Sequence, residues 1–290
     1  MIHTFSIVAH DPDEQAWGVA TASKFLAVGG VVNWAQAGAG AVATQSYARV
    51  TFGPDGLAMM AQGKSAQETL DALLAGDPDR EYRQVGLVDA RGETAAFTGA
   101  ECMAWAGHRA GPYFTCQGNI LTGEETLEAM ATTFTSTEGT LADRLVAALL
   151  AGDNAGGDSR GKQAAGLLVV KPNAGYGGDN DRYCDLRVDD DPNPMRKLRQ
   201  LLTMHHVFFG PSTPSNLIAI DEEIAVELQE MMLDQGYLGG KVSGDWDEMS
   251  RQAFWALISN ENLEERWSLD DQPDMIDRVV LEYLRGRFGS

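Results

Sequence analysis

The 290-residue sequence predicts an α+β fold, a four-layer α-β-β-α sandwich, followed by a small all-α C-terminal domain. The first 120 residues alternate short runs rich in Val, Ala and Thr with glycine or Asp-Pro breaks, which is typical of strands joined by tight turns. Helix patterns come only after most of these strands, so the strict β-α-β alternation of a doubly wound fold is missing. Many strands are apolar on both faces, as expected when both faces of a sheet are covered.

Local patterns predict the individual elements. HTFSIVA and WGVATAS flank the polar segment DPDEQ, which indicates a β-hairpin. In the second of two early helices, Ser65 precedes Glu68 at capping-box spacing, and Gly76 ends the helix. The other predicted strands are VGGVVNWA, AGAVATQS, YRQVGLVDA, ETAAFTG, ECMAWAG, YFTCQGNIL, KQAAGLLVVKP and RYCDLRV, and the other predicted helices of this region are GPDGLAMMAQG, GEETLEAMATTF, TLADRLVAALLAG and MRKLRQLL.

The composition changes after residue 203. MHHVFFGPSTPSN contains two prolines and a glycine, which is typical of a linker. We therefore predict one domain over residues 1–204, a linker over 205–220 and a second domain over 221–290. The second domain is predicted as helix, glycine-rich loop, helix and a last helix, and it is too small for a large core. We expect it to dock on the first domain or on a second subunit, the latter giving a homodimer.

Charge and cysteine content disfavour several classes of function. With 42 acidic residues against 22 lysines and arginines, the net charge is -20, which disfavours nucleic acid and anionic membranes as partners. Cys102, Cys116 and Cys184 show no metal-ligand spacing and are predicted to be reduced thiols. The N-terminus lacks the pattern of a secretory signal, and no apolar run reaches the length of a membrane span. We predict a cytoplasmic protein that needs no metal or cofactor.

A set of segments between Thr4 and about Leu202 resembles the DUF1028 family. They include TFSIVAHD, WGVATASKFLAVG, GAGAVATQSY, FGPDGL, CQGNIL, GGDSRGKQAAGLLVVKP and GYGGDNDRYCDLRVDD, in that order. The resemblance implies a fold related to the N-terminal-nucleophile (Ntn) hydrolases. In such enzymes the first residue is Thr, Ser or Cys, and its own free amine serves as general base. The resemblance therefore implies Thr4, at the start of the first strand, as the candidate nucleophile.

A second resemblance is local. AVELQEMMLDQGYLGGKVSGDWDEMSRQAFWAL is similar to the peptidoglycan-binding-like three-helix module. Gln229 falls in the first helix of that module and Val242-Ser243-Gly244 in its V-D-G loop, with Ser243 in place of the usual Asp. The resemblance implies contact with glycan, and the alternative is a helical module used for packing or dimerisation.

The hydrolase interpretation needs groups beyond the nucleophile. A nearby cation would lower the pKa of the amine or hydroxyl, and Lys24 is the candidate. Gly118 permits close backbone approach, while Asn119 offers an amide donor for an oxyanion. By resemblance to proteasome-type hydrolases, Asp158 and Ser159 of the loop GGDSRG would orient the amine of the nucleophile. Each candidate also has a purely structural interpretation. Lys24 could be a surface lysine, and Gly118-Asn119 could form a turn. The loop that contains Asp158 and Ser159 could be held by a salt bridge.

Four more residues are predicted to contact substrate. Arg160 could pair a substrate carboxylate through its planar guanidinium. Ser6 lies two residues after Thr4 on the same strand face and is the fallback nucleophile. Ser23 flanks Lys24, and Gln45 supplies a polar group after an apolar strand.

Three functional hypotheses remain open at this stage. The first is an amidohydrolase that cleaves a small amide or peptide-like bond through Thr4. It requires cleavage of the His3–Thr4 bond, because Ile2 is too large for ordinary removal of the initiator methionine. The second is a catalytically silent binding or scaffold protein, whose C-terminal module serves dimerisation or glycan contact. The third is an enzyme that needs no processing and uses Ser6 or Thr4 with Lys24 as base.

Overall fold

The computed structural model describes residues 4–210 and 212–289. The chain divides into two compact units, Met1–Leu202 and Thr203–Ser290. The first unit is a mixed α+β structure, and the second is mainly helical. No helix within the two described ranges combines the length and the apolar character needed to cross a membrane.

The first unit contains two antiparallel sheets. Its strands are β1 (Thr4–Asp11), β2 (Ala16–Ser23), β3 (Asn33–Gln36), β4 (Gly40–Ser46), β5 (Arg83–Asp89), β6 (Thr94–Thr98), β7 (Trp105–Gly111), β8 (Phe114–Leu121), β9 (Ala164–Val170) and β10 (Arg182–Val188). Its helices are α1 (Gly29–Val32), α2 (Phe52–Ala61), α3 (Ala66–Ala75), α4 (Glu125–Ser136), α5 (Leu141–Asn154) and the start of α6 (Pro194–Phe209). One sheet has the order β10-β9-β2-β1-β8-β7, and the other has the order β3-β4-β5-β6.

The central strand β1 shows how the larger sheet is covered on both faces. Side chains alternate between the faces of a strand. Phe5 and Ile7 belong to a core that includes Leu145 of α5, while Val8 belongs to a different core with Val88 of β5. The larger sheet therefore packs against helices on one face and against the smaller sheet on the other.

The smaller sheet is covered in the same way. Val42 of β4 and Leu87 of β5 point away from the larger sheet and pack with Leu57 of α2 and Leu70 of α3. Because both sheets are buried on both faces, their strands lack the apolar-polar alternation of a half-exposed sheet. This explains why the sequence shows continuous apolar runs.

Local signals fix several element boundaries. Ser65 and Glu68 form the predicted capping box at the start of α3, and a second capping box joins Thr140 and Asp143 at the start of α5. The segment VGGVVNWA was expected to be one strand, but it forms the short helix α1 before β3. Val28 and Val32 are both fully buried, and their four-residue spacing places them on one helical face.

The second unit is not wholly helical. It contains α7 (Glu222–Asp234), α8 (Glu248–Asn260) and α9 (Arg278–Phe288), together with the short antiparallel pair β11 (Leu217–Ala219) and β12 (Met275–Asp277). The predicted linker over 205–220 is therefore not irregular throughout, because α6 extends to Phe209 and β11 begins at Leu217. Helix α6 continues through MHHVFF because no Gly or Pro interrupts it before Gly210.

A buried ion pair ties the ends of this unit together. Arg266 Nη1 lies 2.7 Å from Asp277 Oδ2, and both side chains are almost fully buried. The Ser212 hydroxyl donates to the same carboxylate oxygen at 2.7 Å, and Asp277 Oδ1 accepts from the Val279 N–H at the start of α9. Both carboxylate oxygens of Asp277 are thus hydrogen-bonded, as a buried carboxylate requires.

Candidate functional site between the two sheets

A layer of buried polar side chains lies between the two sheets at one end of the first unit. We call it the polar layer. It is unusual because the same interface is apolar elsewhere, where Val8, Val19 and Val88 meet. Its members come from β1, β2, β4, β5 and β8, and they are Thr4, Ser6, Thr21, Ser23, Gln45, Gln84, Thr115, Gln117 and Asn119.

Gln45 links the two sheets. Its Nε2 atom donates to the carbonyl oxygens of Thr4 at 3.2 Å and Gln117 at 3.3 Å. Because carbonyl oxygens only accept, this atom must be the nitrogen, and Gln45 Oε1 then accepts from the Ser6 hydroxyl at 2.6 Å. The Ser6 oxygen in turn accepts from Gln117 Nε2 at 2.6 Å. Both hydrogen-bonding functions of Ser6 are therefore used, which does not favour Ser6 as a nucleophile.

Gln84 extends the network and was not among the residues predicted from the sequence. Its Nε2 atom donates to the Gly118 carbonyl at 2.7 Å and to Thr98 Oγ1 at 3.0 Å. Its Oε1 atom accepts from Gln45 Nε2 and from Asn119 Nδ2, each at 2.8 Å. The amide nitrogen of Asn119 thus uses one of its two hydrogens inside the protein, and the other remains available for the oxyanion-donor role that the sequence suggested.

The network continues to an edge strand. Since Thr98 Oγ1 accepts from Gln84, its hydroxyl proton is available to His108 Nδ1, which lies 2.9 Å away. A neutral His108 with its proton on Nε2 accepts this hydrogen bond. Burial lowers the pKa of His108, which favours this neutral form near pH 7.

Two atoms of the polar layer have no protein partner among the described residues, Thr4 Oγ1 and Asn119 Oδ1. Both residues are 0% exposed. Phe5 pairs with Gly118, so Thr4 and Asn119 stand opposite each other one position further along the two strands. Buried polar atoms without hydrogen-bond partners are uncommon, and two of them at one position indicate a place where a ligand could bind.

Gly86 is required by the packing of this layer. A Cβ atom at Gly86 would lie 2.1 Å from Gln117 Oε1. This close approach lets the long Gln117 side chain cross between the sheets. Gly118 has a similar packing reason, because a Cβ there would lie 2.5 Å from Leu121 Cδ1.

We expect Gly86→Ala to lower the free energy of unfolding of the first unit by about 1–3 kcal/mol, because overpacking displaces Gln117. The matched control is Gly76→Ala, since Gly76 has a negative φ and open space around its Cα. The measurement is urea unfolding of both variants. Equal stability of the two variants would contradict the packing role of Gly86.

The loop that contains Asp158 lies at the Thr4 end of β1. Ser23, which pairs with Thr4, precedes Lys24, and the Lys24 N–H donates to Asp158 Oδ2 at 3.0 Å. Asp158 also receives two side-chain bonds from Arg160, at 3.0 and 2.6 Å, and its side chain is 1% exposed. The structure thus brings Thr4, Ser23 and Asp158 to one end of the sheet.

The other predicted residues of this region lie outside the polar layer. Lys24 is exposed, and its Nζ atom lies 3.4 Å from the Lys162 carbonyl. Ser159 and Arg160 are also exposed, and the Ser159 N–H donates to the Ile120 carbonyl at 3.0 Å. Ser23 is buried, with its side chain on the face shared with the polar layer.

The cysteines and metal-binding side chains offer no competing site within the described ranges. Cys102, Cys116 and Cys184 are free thiols, and burial raises the pKa of Cys184 to about 12. Burial also raises the pKa of Cys102, so neither thiol is activated. The described residues contain no group of three or more His, Cys, Asp or Glu side chains that could hold a metal ion.

In the second unit, Gln229 holds the loop between α7 and α8. Its Oε1 atom accepts from the N–H groups of Ser243 and Gly244, both at 2.9 Å, and its Nε2 atom donates to the Asp245 carbonyl at 2.8 Å and to Ser250 Oγ at 2.9 Å. Ser243 Oγ accepts from the Asp245 N–H at 3.2 Å. Serine therefore performs the loop-capping task that an Asp side chain could perform at this position.

We expect Gln229→Ala to destabilise the loop by about 2–4 kcal/mol, because it leaves buried donors and acceptors unpaired. Hydrogen exchange in the full chain should show faster exchange at the Ser243 and Gly244 amides. Gln252→Ala is the control, since Gln252 is exposed and bonds only to Glu248 among the described contacts. Unchanged protection of Ser243 and Gly244 in Gln229→Ala would refute this role.

The fold and site define an α+β protein with a buried polar centre, joined to a small helical module. Residues 4–198 match the family described as "Family of unknown function (DUF1028)", and residues 208–284 match "Putative peptidoglycan binding domain". The chain therefore belongs to the DUF1028 family, and its second unit is similar to a putative peptidoglycan binding domain.

A solved structure supports this assignment. The chain is similar to protein SPO2555 from Silicibacter pomeroyi, a DUF1028 protein known from its crystal structure, with 33% identity and a TM-score of 0.64. The match covers 71% of this chain and 90% of that protein. A comparison with curated proteins found no match.

Proposed function

We propose that the first unit is an Ntn-type amidohydrolase that cleaves a small amide or peptide-like bond, with Thr4 as nucleophile after cleavage of the His3–Thr4 bond. The observation that carries the proposal is the unpartnered Thr4 hydroxyl at the head of a hydrogen-bonded polar layer. The packing of helices on the outer faces of two stacked sheets supports a relation to the Ntn hydrolases.

The proposed amide hydrolysis uses two groups of Thr4, its hydroxyl as nucleophile and its free amine as base. Cleavage leaves Thr4 with a free amine, whose reference pKa of about 7.7–8.0 lets it accept a proton near neutral pH. The amine takes the hydroxyl proton while Oγ1 bonds to the substrate carbonyl carbon. The C–N bond then breaks, the proton passes to the leaving nitrogen, and an ester joins the acyl group to Thr4. Water hydrolyses the ester and restores the hydroxyl.

The surroundings of Thr4 favour a fixed geometry. Its carbonyl accepts from Gln45, and Gln45 is held by Gln84 and Gln117. A nucleophile on a strand held by such a network is positioned in advance of the reaction. Asp158 lies at the same end of the sheet, where it pairs with Arg160, and its carboxylate is the candidate to orient the Thr4 amine.

The direct test is the intact mass of the protein purified from its native host. A species lighter by the mass of Met1, Ile2 and His3 supports processing at Thr4. If every molecule retains these residues, the proposed route to a free amine fails. A Thr4→Ala variant should show no light species if the cleavage is self-catalysed.

A second candidate function rests on a different observation. Thr4 is 0% exposed in this chain, and the second unit matches a peptidoglycan-binding domain. A non-catalytic protein that contacts glycan through the second unit would fit both facts. Co-sedimentation of the full chain with insoluble peptidoglycan, compared with chitin, tests it. Binding to peptidoglycan without any Thr4-dependent hydrolysis would favour this candidate.

A further inference from the structure

The polar layer contains a built hydrogen-bond acceptor that no protein group uses among the described residues. Asn119 Oδ1 is buried and unpaired, and it stands opposite the equally unpaired Thr4 Oγ1. Facing side chains on neighbouring strands lie about 5 Å apart at their Cβ atoms. A group bound beside the Thr4 hydroxyl would therefore meet the Asn119 side chain.

The polarity of this side chain follows from the rest of the network. Gln84 Nε2 is fixed as a donor by the Gly118 carbonyl, so Gln84 Oε1 is an acceptor. Asn119 must then present its nitrogen to Gln84 Oε1, at 2.8 Å. The oxygen of Asn119 is left as an open acceptor, while its amide nitrogen uses one of its two hydrogens in the bond to Gln84.

We propose that Asn119 is a specificity-determining residue that accepts a hydrogen bond from an N–H group of the substrate. This rests on the proposed function of Thr4. The chemical class is a primary or secondary amide whose N–H lies next to the carbonyl that Thr4 attacks. An ester or a fully substituted amide lacks this hydrogen and leaves Asn119 Oδ1 unpaired in the complex.

The discrimination has a physical basis. A site built to hydrogen-bond a substrate N–H rejects an analogue that lacks it, because a buried polar group of the site then stays unsatisfied. A substrate carbonyl oxygen placed against Asn119 Oδ1 would face another acceptor and be repelled. The residue thus sets both the class of bond and the direction in which the substrate lies.

The kinetic test compares matched substrates that differ at one atom. A panel of acyl p-nitroanilides and the corresponding p-nitrophenyl esters is measured with protein purified from the native host, where processing can occur. In Asn119→Leu and Asn119→Ala we expect kcat/KM for the anilides to fall about 10-fold relative to the esters. Thr126→Val, which removes a buried hydroxyl of α4 that lies outside the polar layer and has no partner among the described residues, should leave this ratio unchanged. An equal loss for both substrates, or no loss, would overturn the role of Asn119.

A binding test separates this proposal from the proposed function. The side-chain amide resonances of Asn119 are followed by NMR in the full chain during titration with N-methylacetamide and with methyl acetate. A shift caused by N-methylacetamide alone supports the acceptor site, even if no Thr4-dependent hydrolysis is found. Equal shifts with both probes, or none with either, would overturn it.

Discussion

Thr4→Val is expected to lower amidase kcat by at least about 10³-fold in protein that begins at residue 4, because valine has the shape of threonine without the hydroxyl. Thr4→Ser should keep measurable activity, since it retains the nucleophilic oxygen. The measurement is hydrolysis of the p-nitroanilide panel at saturating substrate.

The control for this prediction is Thr115→Val, which removes a buried hydroxyl of the same layer without touching Thr4. Its hydroxyl donates to Gln117 Oε1 at 3.3 Å. We expect a change in kcat of less than about 10-fold. If Thr4→Val and Thr115→Val lose activity to the same extent, the effect is structural and Thr4 is not the nucleophile.

Gln84→Met is expected to lower the free energy of unfolding of the first unit by about 3–5 kcal/mol. Methionine has a similar length and flexibility, so little volume is lost. It removes the side-chain donor to the Gly118 and Gly107 carbonyls and the acceptor of the Asn119 amide. Each unsatisfied buried group costs about 1–3 kcal/mol. Urea unfolding followed by far-UV circular dichroism measures the loss.

The matched control is Gln67→Met on the surface of α3. Gln67 is exposed and donates to Asp71 at 2.8 Å. Its replacement should change stability by no more than about 0.5 kcal/mol. If Gln84→Met costs less than about 1 kcal/mol, the polar layer is not the closed network described here.

Much of the architecture follows from local sequence patterns. The apolar strands separated by turns, the capping box at Ser65 and the helical C-terminal region were all predictable, because turns, caps and periodicity are encoded in neighbouring residues. The short helix at Gly29–Val32 was missed, because its Val-rich sequence has strand propensity and tertiary packing overrides it.

The site was only partly predictable. Thr4, Ser6, Gln45, Gly118 and Asn119 were selected from the sequence, and the structure brings them together. Their hydrogen-bond directions could not be predicted, because these depend on partners from distant strands. For Asn119, the sequence suggested an amide donor but did not show that its oxygen would be an open acceptor.

Gln84 and Gln117 were missed although each carried a signal. Each is a fully buried polar residue within a strand, at a position that faces the other sheet. Such residues need partners when buried, and a search for unexplained polar positions in covered strands would have found them. Lys24 was selected as the candidate cation near Thr4, but it directly follows the end of β2 and is exposed.

The most direct test of the Thr4 assignment is covalent trapping. Protein that begins at residue 4 is treated with a β-lactone, which acylates activated hydroxyl groups, and the adduct is located by mass spectrometry of its peptides. The proposed mechanism predicts one adduct per chain on Thr4, and none in Thr4→Val. An adduct on Ser6 or Cys102, or no adduct on Thr4, would contradict it.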